Sequence, residues 1–394
     1  MMLSASKSPL DRVAAHVRDM PPSGIRDFFE IVSTMKDVIS LGIGEPDFAS
    51  PWKIRESAIY SLERGVTHYT SNLGLLSLRK AIAGYLGQTY QLDYNPADEI
   101  LVTVGVSEGL DLALRAILEP GDEVIYHEPC YVSYNPLISF AHGVPVGVVT
   151  TAEDDFRLTR EAVEAKITPK TKALLLNFPN NPTGAALGEK DLHALAALAV
   201  EHDLLVITDE IYAELTYEGT HTSIASLPGM KDRTLFLHGF SKAWAMTGLR
   251  LGYACGPKAL VGAMMKIHQY SMLCAPITSQ EAGLEALRNP ADTIAGMKDE
   301  YRRRRNYITS CLEDMGLPCV FPRGAFYAFP RVAELGLSSK EFALKLLDEE
   351  KVAVVPGTAF GACGKGFVRC SYATSMDEIK EAMVRMARFV KRLA

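Results

Sequence analysis

The sequence has no C-x-x-C pair, no apolar run of membrane-spanning length and no surplus of positive charge. Its seven cysteines, Cys130, Cys255, Cys274, Cys311, Cys319, Cys363 and Cys370, are scattered and odd in number. That spacing argues against a disulfide framework or a structural zinc site. Reduced thiols in a cytoplasm are expected, and no metal centre. A net charge of −6 disfavours a partner such as nucleic acid or an anionic membrane. The apolar runs fall short of the ~18–20 residues that cross a bilayer. The opening "MMLSASKSPLDRVAAHV" lacks the apolar core of an export signal.

What is present is an ordinary globular composition, 48% hydrophobic and 22% charged over 394 residues. Single cores stop growing near ~250–300 residues, so two domains are expected. Short apolar runs alternate with amphipathic helical ones. "EILVTV", "DEVIYHE", "TKALLLNF", "LLVITDE", "RTLFLHGF" and "LRLGYACG" read as strands; "SEGLDLALRAIL" and "EKDLHALAALAVEHD" read as helices. This alternation predicts an α/β domain with a mainly parallel sheet flanked by helices. After about residue 290 the texture changes. A long charged helix near 292–315, a helix near 339–349 and a final helix from Ser375 surround "GAFYAFP", "VAVVPG" and "GFVRCSY". They predict a smaller α+β domain.

In open α/β sheets ligands bind beyond the carboxyl ends of the strands. Five predicted strands end in polar or special residues: "GVSEG", "CYVSY", "PNNPTG", "DEIY" and "SK". "GVSEG" (105–109) fits the elbow of a serine hydrolase, a plain turn, or a helix start whose free N–H groups take a phosphate. A hydrolase needs a late acid and histidine; His268 is the last histidine, and no acid before it stands out. "PNNPTG" is at least a turn, and Asp209 at least a helix N-cap. "GFSKAWAMTGLRLGYACG" (239–256) is harder to place. Lys242 and Arg250 are its only charges, among residues that read as too apolar for a surface loop, and buried charges need partners.

Together these residues form a kit for one cofactor. Pyridoxal phosphate needs a lysine for its aldehyde, an acid at its ring nitrogen, donors for its ring hydroxyl, and cations or N–H groups for its phosphate. The segment Gly239–Gly252 resembles the pyridoxal-phosphate attachment signature of class I (fold type I) aminotransferases. "LGIGEPDF", "HYTSNLGLLSLRKAIA", "NFPNNPTG", "TDEIYAEL", "GAFYAFP", "VAVVPGTAFG" and "VRCSYATS" look like the other family blocks, in order. The likeness runs from about Ser23 to the C-terminus and is strongest to the aromatic, aspartate and alanine enzymes.

The resemblance implies a fold and a site. An N-terminal arm with part of the small domain is expected over 1–45, a large cofactor-binding domain over 46–290, and a small C-terminal domain over 291–394. Lys242 matches the Schiff-base lysine, Arg250 a phosphate ligand, and Asp209 the acid at the pyridine nitrogen. Asn181 and Tyr212 match donors to the ring hydroxyl; Val106 and Ser107 match the phosphate-binding N–H pair. Tyr131 matches the aromatic ring stacked on the cofactor. Tyr69 matches a phosphate ligand supplied by the neighbouring subunit, which implies a homodimer with shared active sites. Arg369 matches the grip on the substrate α-carboxylate, with Asn181, Ile43 and Gly44 also at the substrate. Gly239 departs from relatives that carry a phosphate-contacting serine three residues before the lysine. The neutral Ser107 departs from dicarboxylate-preferring relatives with a lysine there, and so favours aromatic donors such as tyrosine or phenylalanine, with 2-oxoglutarate as acceptor. The competing classes are a C–S β-lyase on the same fold, a non-catalytic regulator and the serine hydrolase.

Overall fold

The computed structural model describes residues 8–21, 25 and 35–393. Ser23 and 19 of the 45 residues of the expected N-terminal segment lie outside them. Twelve described strands follow in chain order: β1 (Ile39–Ser40), β2 (Ile100–Thr103), β3 (Glu123–Glu128), β4 (Val144–Val149), β5 (Thr171–Leu176), β6 (Leu205–Asp209), β7 (Thr234–Gly239), β8 (Gly252–Cys255), β9 (Tyr327–Ala328), β10 (Val352–Ala353), β11 (Val355–Pro356) and β12 (Val368–Ser371). Seven of them form one sheet in the order β2-β8-β7-β6-β5-β3-β4. Its pairings are parallel except at β8, which is antiparallel to both neighbours. Six strands therefore run one way and one is reversed.

The uninterrupted apolar runs of the sequence follow from burial on both faces. Alternate residues of a strand point to opposite sides. Leu101, Ala173, Leu175, Ile207, Leu235 and Leu237 pack on one face, beneath helices 105–117, 134–140 and 258–271. Ile125, Leu174, Leu176 and Val206 pack on the other, against helix 189–201. Further along that second face, Ile100, Phe236 and Tyr253 meet helices 76–90 and 277–286.

The strand β4 has no counterpart in the sequence reading. It lies at the sheet edge and carries Pro145, a residue that reads as a breaker and is tolerated where the edge needs no N–H. The expected strand "LRLGYACG" is shorter than its apolar run. Residues 247–249 form a 3₁₀ turn, and Arg250 takes a left-handed φ of 49° before β8 begins at Gly252.

The remaining elements build a separate α+β layer. The long helix Pro290–Asp314 and the helices Ser339–Glu350 and Met376–Leu393 share a core with Leu41, Phe326, Val352, Val354 and Tyr372. Here β1 pairs in parallel with β10, so the first and last parts of the chain meet. The short strands β11, β12 and β9 complete the layer.

Candidate active site

One rim of the large sheet gathers the chemistry. Beyond the carboxyl ends of the six like-directed strands lie Val106 and Ser107 (after β2), Tyr131 (after β3), Asn181 (after β5), Asp209 and Tyr212 (at and after β6) and Lys242 (after β7). Because β8 is reversed, its start lies at the same rim, which brings Arg250 there from the opposite direction. These side chains line a cavity of about 510 Å³, together with Gly44 from the N-terminal segment and Arg369 from β12.

Lys242 occupies its centre. Its Nζ donates to the Gly44 carbonyl at 2.7 Å. Burial pushes its pKa down to about 8; the nearby Glu45 carboxylate opposes that shift, while Arg369 and Arg250 add to it. Such a lysine is a poised base and nucleophile near neutral pH. Asp209 moves the other way. Burial pushes it up to about 6, against a hydrogen bond from the Tyr134 hydroxyl (2.8 Å) and one from the Ile211 N–H (3.2 Å).

Arg369 is buried with its guanidinium 4.5 Å from the Tyr327 ring centre and 4.8 Å from that of Phe360. Its Nη1 donates to Asn181 Oδ1 at 2.9 Å and its Nη2 to the Gly42 carbonyl at 2.5 Å, while Nε has no partner among the described residues. A buried cation with an orphaned donor and no acid beside it among the described residues is arranged for an incoming anion. Tyr212 shares a 2.8 Å hydroxyl contact with Tyr327, and burial holds its phenol well above the ordinary value.

The corner near Arg250 is built by close backbone contact. Gly105 opens helix 105–117 with a φ of 76°, and a Cβ there would come 2.8 Å from Arg250 Nη2. A Cβ on Gly252 would lie 2.6 Å from the Gly105 carbonyl carbon. Gly239 pairs with Gly252 across β7 and β8, and a Cβ on it would fall 2.9 Å from both Gly252 Cα and Leu251 O. Gly239 is thus required by packing at this corner. Arg250 is exposed, contrary to its apolar sequence context. Its greasy neighbours Ala243, Trp244, Met246 and Leu251 turn inward instead and are buried.

Two expected residues do not join the cavity. Tyr69 is 82% exposed and Ile43 47% exposed, and neither lines it. The Gly44 carbonyl makes the contact in this segment. The sequence reading missed Tyr134, Tyr327, Glu45 and Asn177, whose Nδ2 donates to the Asp209 carbonyl at 2.8 Å. Tyr134 had a signal, since it follows Tyr131 by one turn in "CYVSY". The acid that His268 lacked is also found. His268 Nδ1 lies 2.7 Å from Glu108 Oε1, inside "GVSEG" itself. Ser107 has no part in that contact, so no Ser/His/acid relay forms there.

A family model described as aminotransferase class I and II matches residues 36–386. The chain belongs to this family. It is 53% identical to a putative aminotransferase, YugH, of Bacillus subtilis over 377 residues, covering 96% of this chain and 98% of that one. It is 47% identical to an aspartate aminotransferase of Pyrococcus abyssi over 373 residues, covering 94% and 96%. Among solved structures, an aromatic aminotransferase from Pyrococcus horikoshii superposes with a TM-score of 0.89 at 45% identity, covering 94% of this chain and all of that one. The protein is an enzyme, a pyridoxal-phosphate-dependent aminotransferase acting on amino and 2-oxo acids. The donor set fits that cofactor: a lysine of lowered pKa, a buried carboxylate, a hydroxyl and an amide converge on one cavity beside a helix N-terminus and an exposed arginine.

Proposed function

We propose that this aminotransferase takes its amino group from an aromatic amino acid, tyrosine or phenylalanine, and passes it to 2-oxoglutarate in a ping-pong cycle. The observation that carries the site assignment is Lys242, held in the cavity with its pKa near 8 between Asp209 and Arg369. When bound, pyridoxal phosphate supplies an aldehyde for amino groups and a cationic ring that accepts electrons from the substrate Cα.

The chain's own groups do the rest. Asp209 would pair with the ring nitrogen and hold a proton there, and the carboxylate would itself be ionised in doing so. Tyr212 and Asn181 would hydrogen-bond the ring hydroxyl, and Tyr131 would pack against the ring. Val106 and Ser107 N–H groups and Arg250 hold the phosphate. Arg369, with Asn181 and Gly44, orients the α-carboxylate so that the Cα–H faces Lys242. With the cofactor bound, the free ε-amine of Lys242 would be the base that takes the proton from the substrate Cα and carries it as the ammonium. Replacing the amino acid by a 2-oxo acid and running the steps in reverse completes the cycle.

The aromatic preference is supported by the neutral Ser107 and by the apolar Ile25, Leu110, Leu137 and Ile211 in the cavity wall. Relatives carry both aromatic and aspartate names. The homodimer is supported by the exposure of Tyr69, the residue that would serve a neighbouring subunit's phosphate site. A cytoplasmic location is supported by seven unpaired cysteines. Among the described residues no helix is long and apolar enough to cross a membrane.

The test is a single half-reaction. Cofactor-loaded protein is mixed with tyrosine, phenylalanine, aspartate or alanine without any 2-oxo acid, and released oxo acid is counted per subunit. One equivalent from tyrosine, faster than from aspartate, with the visible absorbance restored by 2-oxoglutarate, is expected. Faster release from aspartate or alanine would replace the donor. Continuous release of pyruvate and ammonia from cystathionine without an acceptor would make the enzyme a β-lyase.

A further inference from the structure

Glu108 and His268 form a buried pair that the catalytic assignment does not use. Glu108 is the fourth residue of the helix beginning at Gly105, and its side chain folds back. Its Oε2 accepts the Val104 N–H at 2.5 Å, and its Oε1 accepts from His268 Nδ1 at 2.7 Å. The side chains of His268 and Glu108 are 0% and 10% exposed. His268 belongs to helix 258–271, which packs along helix 105–117.

A carboxylate one turn into a helix has a natural partner in the free N–H groups at that helix's start. Here those groups belong to Gly105, Val106 and Ser107, and Glu108 takes none of them. Its two oxygens are engaged elsewhere, one by the N–H before the helix and one by a histidine on a neighbouring helix. Val106 and Ser107 of that first turn line the cavity beside Arg250. Released from His268, the same carboxylate would compete for those donors and set a negative charge against any anion there.

We propose that His268 is a positioning residue, which holds the Glu108 carboxylate away from the helix N-terminus and so keeps that N-terminus available to the cofactor phosphate. This rests on the reading that Val106, Ser107 and Arg250 hold the phosphate. The consequence is specific. Loss of the histidine weakens binding of the phosphorylated cofactor through Glu108, and removal of the Glu108 charge restores it.

The experiment uses the full chain stripped of cofactor, and titrates it with pyridoxal phosphate and with pyridoxal, which lacks the phosphate. Binding is followed by quenching of tryptophan fluorescence. His268→Gln is expected to weaken pyridoxal phosphate roughly 3- to 10-fold, the range that charges at a helix terminus command, and to leave pyridoxal unchanged. His268→Gln with Glu108→Gln is expected to recover the affinity of the unaltered protein. Glu108→Gln alone, which keeps an acceptor for the Val104 N–H, is expected to bind as tightly or more tightly. Equal weakening toward both ligands, or no recovery in the double variant, would overturn the proposal and leave the pair a packing feature. Should His268→Gln not fold, Glu108→Gln alone decides, because weaker phosphate binding in it would show the carboxylate assisting. If unaltered protein binds both ligands equally, it is the phosphate assignment that fails.

Discussion

The Tyr134 hydroxyl donates to Asp209 at 2.8 Å, from a side chain packed edge-on against Tyr131. One buried tyrosine thus touches both the acid and the ring expected on either side of the cofactor. That arrangement keeps a carboxylate in place inside the protein before any cationic ring arrives to pair with it.

Asp209 carries a stability cost whose sign follows from its pKa. In the cofactor-free protein burial raises it from 3.8 to about 6, so folding favours the protonated acid. The associated stability is complete below the unfolded value and is lost as pH rises through the folded one. Asp209→Asn should therefore stabilise the stripped protein at pH 8 by on the order of 2–3 kcal/mol and change little at pH 4. Urea unfolding at the two pH values measures this. With cofactor bound the order should reverse, because the asparagine cannot pair with the ring nitrogen.

The same logic applied to Lys242 concerns rate. Its amine loses its proton near pH 8 because burial disfavours the charge, with Arg369 and Arg250 adding to that; Glu45 first, and Asp209 after it, support the charge. Cofactor capture by stripped protein should accelerate with pH through a midpoint near 8 and then level off. Glu45→Gln removes the supporting charge and should move that midpoint lower. A midpoint that rises, or stays put, would show that Glu45 does not face the amine in solution.

Gly239 stands where the resemblance to some relatives implied a phosphate-contacting serine, three residues before the lysine. In this chain a Cβ there would meet Gly252 Cα and Leu251 O at 2.9 Å and Val106 Cγ2 at 3.2 Å. Two of those atoms are backbone and cannot rotate away. Gly239→Ser should destabilise the protein by roughly 1–3 kcal/mol, read as a lower thermal midpoint without any gain in cofactor affinity.

The strand ends were the most legible part of this molecule. Apolar runs closed by Gly, Asn, Asp or Ser showed where β2, β5, β6 and β7 stop, and the rim rule collected their residues into one cavity. The edge strand β4 was hidden because Pro145 weakens its pattern. The exposure of Arg250 was hidden because a left-handed residue ends the extended run, which composition does not reveal. Glu108 and His268 are 160 residues apart, and only the packing of two helices brings them together. Tyr69 and Ile43 are exposed and lie outside the cavity, where the resemblance had implied ligand contacts.

Arg369 is the residue whose replacement separates binding from chemistry most cleanly. Its two terminal nitrogens are spread between Asn181 Oδ1 and the Gly42 carbonyl, its guanidinium lies over Tyr327 and Phe360, and its Nε has no acceptor among the described residues. A planar fork can keep such contacts while turning a further donor to a carboxylate; an ammonium is a point charge that cannot span them. Arg369→Lys should raise the KM for the amino donor roughly 10- to 100-fold, the worth of one charge-assisted hydrogen bond. It should do so for tyrosine, aspartate and alanine alike, because every donor presents the same α-carboxylate. Cofactor binding to the variant should be nearly unchanged, since Lys242, Asp209 and the helix N-terminus are untouched. Steady-state kinetics over the three donors, with a cofactor titration beside them, check both statements. A loss confined to one donor would mean that Arg369 reads the side chain and that another group grips the carboxylate.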